Sequence, residues 1–311
     1  MKTAEELDNA ISSILADGVN FNMYFGFGSE ESRTYERANL LDGAATSILH
    51  NYSAGLRRFF DNEELVTGRL SRIDRRESCL WHYDLKETPA EFDQLELVQM
   101  ARIPKVFSFE EHAITDIKTI AVRIASANSS VVLVKKVYPV SFIKRDQIFL
   151  IKSADRLDVF NDDIVRVGFG FEVLLLDNEF YINDFAKFER AFAFDAIADR
   201  ASKKLGKTVL ELDIADDIKD YLKAGRISRR DVFRTSDSIV LTLKPAAILE
   251  FALLKQEKTG LKVVGGKLQL NSLESVKKLF NLLNDDYLTS ELTSLDYETL
   301  AKNKISLPMD E

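Results

Sequence analysis

The stretch that most restricts how this chain can fold runs from Gly168 to Lys204, GFGFEVLLLDNEFYINDFAKFERAFAFDAIADRASKK. The run Val173-Leu174-Leu175-Leu176 is too short and too abruptly stopped for a helix, and Asp177-Asn178 supplies side chains that tolerate left-handed backbone. The spacing predicts a strand over Glu172 to Leu176, a tight turn at Asp177-Asn178-Glu179 and a returning strand from Phe180 to Ile182. A helix follows, capped by Asn183 or Asp184, with Phe185, Phe188, Phe192 and Ile197 at helical spacing on a buried aromatic face.

The order of these parts, Tyr181-Ile182-Asn183 and then Phe185-x-x-Phe188-Glu189-Arg190-x-Phe192, resembles the KwaB family, the soluble component of the Kiwa anti-phage defence system. The resemblance spans about Ser130 to Ile305, including Asp286-Tyr287-Leu288-Thr289-Ser290-Glu291-Leu292-Thr293 and Asp296-Tyr297-Glu298. It implies binding to double-stranded DNA, partnership with a membrane-embedded sensor, KwaA, and homodimerisation. Such signatures are mostly core and turn residues, so they identify a fold better than a chemistry.

A chain of 311 residues predicts two domains, set here at 1–125 for an N-terminal α+β unit and 126–311 for the family-like half. The expected class is α+β, the second half being a mainly antiparallel sheet with helices packed on it. A single cysteine, Cys79, excludes an internal disulfide framework, and the N-terminal MKTAEELDNA lacks the apolar centre of a signal peptide. A cytosolic location is expected, at the inner face of the membrane only through a partner. The longest apolar candidate, Ile239 to Leu254, is interrupted by Lys244, Pro245 and Glu250.

The net charge of −8 argues at first against a polyanionic ligand. Its distribution reverses that argument. Residues 1–36 and residues 285–311 each hold seven acidic and two basic side chains, and the remainder carries 38 basic against 36 acidic. Basic patches are therefore compatible with an acidic chain.

In chain order, residues 4–16 read as an amphipathic helix, Asn20 to Phe27 as a strand of alternating pattern, and Ala44 to Tyr52 as a helix. Glu63 to Arg76, with Arg69, Arg72, Arg75 and Arg76, reads as a solvated helix surface, a basic face being the alternative. Ala113 to Ile124 reads as a helix. Strands follow at Val131 to Tyr138, Gln147 to Ile151, Asp158 to Phe160 and Val165 to Phe169, which suggests a meander. Helices are expected at Leu212 to Leu222, Ser228 to Phe233, Ala246 to Glu257 after Pro245, and Leu273 to Leu283 after the cap Ser272. A hairpin turns at Gly265-Gly266, and the chain from Tyr287 returns as strand or extended segment.

Catalytic motifs are weak. Cys79-x-x-His82 has no second ligand pair, Gly206-Lys207-Thr208 lacks the first glycine of a phosphate loop, and no G-x-S-x-G occurs. Gly26-Phe27-Gly28 and Gly168-Phe169-Gly170 lack the third glycine of a dinucleotide loop, and read as relief of aromatic crowding. Asp116-x-Lys118 and Asp217-x-Lys219 are fragments of a metal-dependent nuclease site, more economically read as solvent-facing charges. No cofactor, metal or catalytic residue is expected.

Binding remains. Asp199 to Arg234 holds ten basic residues against seven acidic ones. The sharpest cluster is Arg226, Arg229, Arg230 and Arg234, the last two sharing a helix face. Lys203, Lys204 and Lys207 are read at the end of the preceding helix, where its dipole alone would favour cations. Lys135-Lys136, with Lys105, extend the expected DNA-binding set, although paired lysines on an edge strand also guard against aggregation. The reading is a non-enzymatic DNA-binding effector, with a metal-dependent nuclease or a scaffold lacking DNA affinity as alternatives.

Overall fold

The computed structural model describes residues 1–16, 19–73, 78–138, 149–153, 156–160, 167–215, 218, 229–236, 238–289 and 296–298. The chain is α+β, as expected. It divides into two compact units, Met1–Gly68 with Ser78–Phe194, and Arg69–Glu77 with Asp195–Glu311.

The first unit is built on helices α1 (Ala4–Ala16), α2 (Asp42–Phe60), α3 (Glu91–Gln99) and α4 (Phe185–Ala191), and on strands β1 (Asn20–Phe27), β2 (Thr34–Arg37), β3 (Val66–Arg69), β4 (Cys79–His82), β5 (Thr119–Ala125), β6 (Ser130–Lys136), β9 (Val173–Leu176) and β10 (Glu179–Ile182). These eight strands form one sheet in the order β2-β1-β5-β6-β9-β10-β4-β3. Between β6 and β9 the strands β7 (Phe149–Ser153) and β8 (Arg156–Phe160), among the described residues, pair only with each other, while β6 meets β9 directly and the expected consecutive meander is interrupted.

One face of the sheet carries Met23, Phe25, Ile120, Val122, Ile124, Leu133 and Leu174 against Leu7, Ile11 and Ile14 of α1 and Tyr52 and Leu56 of α2. Each fully buried aliphatic side chain there stabilises by roughly 2 kcal/mol. The opposite face receives α3, where Phe92 stacks on Phe180 with centroids 3.8 Å apart. Tyr83, Phe188 and Phe192 close the cluster around Phe92, which accounts for the Phe-rich pattern read in the sequence.

The hairpin between β9 and β10 turns on Asp177 and Asn178, both left-handed at φ 51° and 61°, the geometry of a two-residue type I′ turn. The cap of α4 is Asp184, whose carboxylate accepts from the Lys187 N–H. The aromatic helix is broken once, where Ala193 takes φ 49° between α4 and α5 (Phe194–Glu211).

Three readings are corrected. Ala113 to Ile124 is a 3-10 turn at Ile114–Asp116 followed by strand β5, not a helix. Its apolar residues fall at helical spacing by coincidence: β5 lies between β1 and β6, buried on both faces, so no polar alternation marks it as a strand. Of the charged segment Glu63 to Arg76, Val66–Arg69 is strand and Leu70–Arg72 a 3-10 turn, while Arg75 and Arg76 lie outside the described residues. Strands β5 and β6, on either side of residues 126–129, pair with each other from Thr119↔Lys136 to Ala125↔Ser130. Of the strand expected at Val165 to Phe169, residues 165 and 166 lie outside the described residues and 167–169 are irregular.

The second unit holds most of α5, then α6 (Arg229–Ser236), α7 (Pro245–Leu254), α8 (Gln256–Thr259), the hairpin β11 (Lys262–Val264) and β12 (Lys267–Gln269), α9 (Leu273–Leu283), and the pair β13 (Tyr287–Thr289) and β14 (Asp296–Glu298). Gly260 ends α8 with φ 63°, and Gly265 and Gly266 turn the hairpin at φ 59° and 80°. Ser272 caps α9 by accepting from the Ser275 N–H. Leu205, Val209, Val232, Ile248, Leu268, Leu279 and Phe280 share its core. The helix expected at Leu212 to Leu222 does not start at Leu212: α5 ends at Glu211 and Asp213 turns at φ 51°, while residues 216, 217 and 219–228 lie outside the described residues.

Candidate functional site

Helix α5 is amphipathic because Ile197, Ala198, Leu205 and Val209 fall on one buried face. The opposite face presents Arg200, Lys203, Lys204 and Lys207 at spacing i, i+3, i+4 and i+7, all exposed. A single basic stripe results. Lys207 approaches Glu211 at 3.8 Å with both side chains largely in water, a contact worth well under 1 kcal/mol. The helix continues to Glu211 and has no basic residue in its last turn, so the dipole does not explain Lys203 and Lys204. Arg200 belongs to this stripe, and only the helix register shows that it does.

The other expected cations fare differently. Arg229 and Arg230 open α6, but their side chains lie outside the described structure, as does Arg226 entirely. Arg234 is committed internally: its guanidinium donates to Asp286 Oδ1 at 2.7 Å, the carboxylate being fully buried. Thr235 beside it donates to Asn284 at 2.9 Å, so the last turn of α6 is tied to the end of α9.

In the first unit, Lys136 lies at the end of β6, an interior strand rather than an edge, and its ammonium donates to Glu30 at 3.3 Å and to the Arg190 carbonyl. Lys135 reaches Gly168, where a Cβ would lie 2.6 Å from its Nζ. Lys105 is held between two carboxylates, 2.6 Å from Glu111 and 2.7 Å from Glu36. Those bonds, the Glu111 one foremost, push its ammonium up to about 12 and hold the Glu111 carboxyl below its usual range. Lys105 and Lys136 therefore reach solvent with much of their charge already matched.

Of the two nuclease fragments, Asp116-x-Lys118 makes local side-chain contacts. Asp116 accepts from the Ala113 N–H at 2.9 Å as a local cap, and Lys118 donates to the Thr115 carbonyl, while Asp217 lies outside the described residues. Carboxylates do occupy two polar clusters elsewhere that sequence spacing does not reveal. One is Glu36 with Glu111 and His112. The other is fully enclosed: Glu91 accepts from Arg33 at 2.9 Å and from the hydroxyls of Tyr35 and Thr119. Burial pushes the Glu91 carboxyl up to about 7 against the opposing pull of Arg33. Gly26 leaves room for this network, because a Cβ there would meet Thr119 Oγ1 at 2.1 Å. Among the described residues, no helix is long and apolar enough to cross a membrane.

An eight-stranded α+β unit joined to a helical unit with a basic stripe is the class of protein that fold and site define. The family description "Kiwa protein KwaB-like" matches residues 114–293, more than half of the chain, and the chain belongs to this family. It is similar along almost its whole length to the Kiwa protein KwaB of Escherichia coli O55:H7 (strain RM12579 / EPEC), at 22% identity over 317 residues, covering 97% of this chain and 99% of that relative. No solved structure matches.

Proposed function

We propose that this chain is a non-enzymatic DNA-binding component of Kiwa-type anti-phage defence, engaging the phosphate backbone through a basic surface centred on α5 and acting with a membrane-embedded partner. The observation that carries the reading is the exposed stripe Arg200, Lys203, Lys204 and Lys207, four cations on one face of one helix in an otherwise acidic chain. Such a stripe follows a phosphate backbone without reading bases. Arg226, Arg229 and Arg230, close in sequence, would widen the same contact. Membership of the KwaB family supports the defence role; the duplex ligand, the partner KwaA and a homodimer are what the family resemblance implies.

The test is fluorescence anisotropy of a labelled DNA duplex with the full chain across a salt series in chelator, comparing the parent with Lys203→Glu/Lys204→Glu/Lys207→Glu. All three positions are exposed, so the helix should keep its far-UV circular dichroism. The parent is expected to lose affinity as salt rises, and the variant to bind at least tenfold more weakly at low salt, its log-log slope shallower by about 0.9 for each phosphate contact removed. A parent without salt-dependent binding would leave the scaffold reading standing. Loss of intact duplex only when divalent metal is present would move the assignment to a nuclease.

A further inference from the structure

We propose that Glu36, Glu111 and His112 form a binding site for a divalent transition-metal ion, Mn²⁺ or Zn²⁺, at the β2 end of the sheet, with the Lys105 ammonium as the built-in cation that the metal displaces. One donor atom from each of the three residues lies within 4.8 Å of the other two. Bonds of 2.0–2.2 Å to a metal require donors roughly 3 Å apart, and the exposed Glu111 side chain is free to close that difference.

The backbone arranges these donors in advance. Strand β2 places Glu36, and the chain at Lys105 to Phe107 runs beside it, the Arg37 N–H donating to the Lys105 carbonyl at 2.8 Å and the Phe107 N–H to the Arg37 carbonyl at 2.9 Å. The turn that follows closes through the His112 N–H to the Ser108 carbonyl at 3.1 Å, returning Glu111 and His112 toward Glu36. The His112 ring is fixed by stacking on Phe27, centroids 4.4 Å apart at 13°, which aims Nε2 at Glu36 Oε1 across 3.2 Å.

Two observations point to a cation beyond the lysine. The Glu36 carboxylate is 7% exposed, and its second oxygen, Oε2, is buried without a hydrogen-bond partner. Sharing a carbon with Oε1, it lies within reach of an ion bound there, which would satisfy it by bidentate ligation. The second is the imidazole: a pair of carboxylates bridged by lysine needs no such group. Two carboxylates with one imidazole suit Mn²⁺ or Zn²⁺ better than the all-oxygen preference of Ca²⁺ or Mg²⁺.

The competing ammonium gives the proposal its sharpest consequence. Lys105 is an intramolecular competitor, so removing it should tighten metal binding, whereas a purely structural salt bridge would gain no affinity for metal. Isothermal titration of MnCl2 and, separately, ZnCl2 into the full chain is expected to give saturable binding of one ion. Lys105→Ala should bind about tenfold more tightly, and Glu111→Gln and His112→Gln, both outside the core, at least tenfold more weakly. Thermal melts supply an independent readout: Lys105→Ala should melt lower than the parent in EDTA, through repulsion between Glu36 and Glu111, and regain the difference when metal is added. Absence of saturable binding in the parent, binding unchanged by His112→Gln, or Lys105→Ala no tighter than the parent would each overturn the proposal.

Discussion

Replacing Arg33 by alanine is expected to destabilise the first unit by about 3–5 kcal/mol near pH 8 and by clearly less near pH 5.5, measured by denaturant unfolding at the two pH values. The guanidinium and the Glu91 carboxylate are 3% and 0% exposed, and Arg33 also donates to the Ala191 carbonyl at 3.1 Å. Without Arg33 the carboxylate is left charged in a dry site among Tyr35, Thr119 and the sheet, and its cheapest response is to take up a proton. Low pH supplies that proton, which is why the cost shrinks there.

The parent itself should carry a related dependence. Burial, the largest cause, raises Glu91 from 4.5 to about 7, so the folded state holds a proton that the unfolded chain has released. Its contribution to stability is fully present below about pH 4.5 and is lost as pH rises through about 7. Between those limits this group alone removes roughly 3 kcal/mol as pH increases. Glu91→Gln should flatten that part of the profile, while retaining an acceptor for Tyr35. A parent curve without a falling limb between pH 5 and 8 that Glu91→Gln removes would refute the assignment.

Arg234→Ala is expected to cost the second unit about 3–5 kcal/mol, because it removes the guanidinium that meets the buried Asp286 carboxylate at 2.7 Å. Asp286→Ala should cost comparably, and the double variant less than the two together, the signature of coupled partners in a double-mutant cycle. Unfolding midpoints in urea decide this. The result also bears on function: any loss of DNA affinity in an Arg234 variant must be read through its stability, whereas Lys203, Lys204 and Lys207 can be changed on an exposed helix face.

Local chemistry was legible where one residue type suffices to set the backbone. Asp177-Asn178 between two apolar runs, Gly265-Gly266 between alternating residues, Ser272 ahead of an amphipathic run and Pro245 opening an apolar one each specify a turn or a helix end within a few residues of chain. The stripe on α5 was partly legible too. Its lysines were visible, but the helix was read as ending among them, and Arg200 was left out of the chosen set. The period of a helix carried on to Glu211 would have included it.

The remainder depended on which strands meet. Strand β5 looked helical because a strand buried on both faces shows no alternation, and its identity comes from β1 on one side and β6 on the other. The charge partners were equally hidden, since Lys105 with Glu36, Arg33 with Glu91 and Arg234 with Asp286 lie 52 or more positions apart in sequence. Sequence alone determined the punctuation of this chain, its KwaB-family pattern and the lysines of the α5 stripe, because turns, caps and helical period are short-range properties of backbone and side chain. Tertiary structure alone decided which cations face solvent and which are spent on buried carboxylates, and which three donors gather beside β2, because desolvation and Coulomb attraction act through space between residues that the sequence keeps far apart.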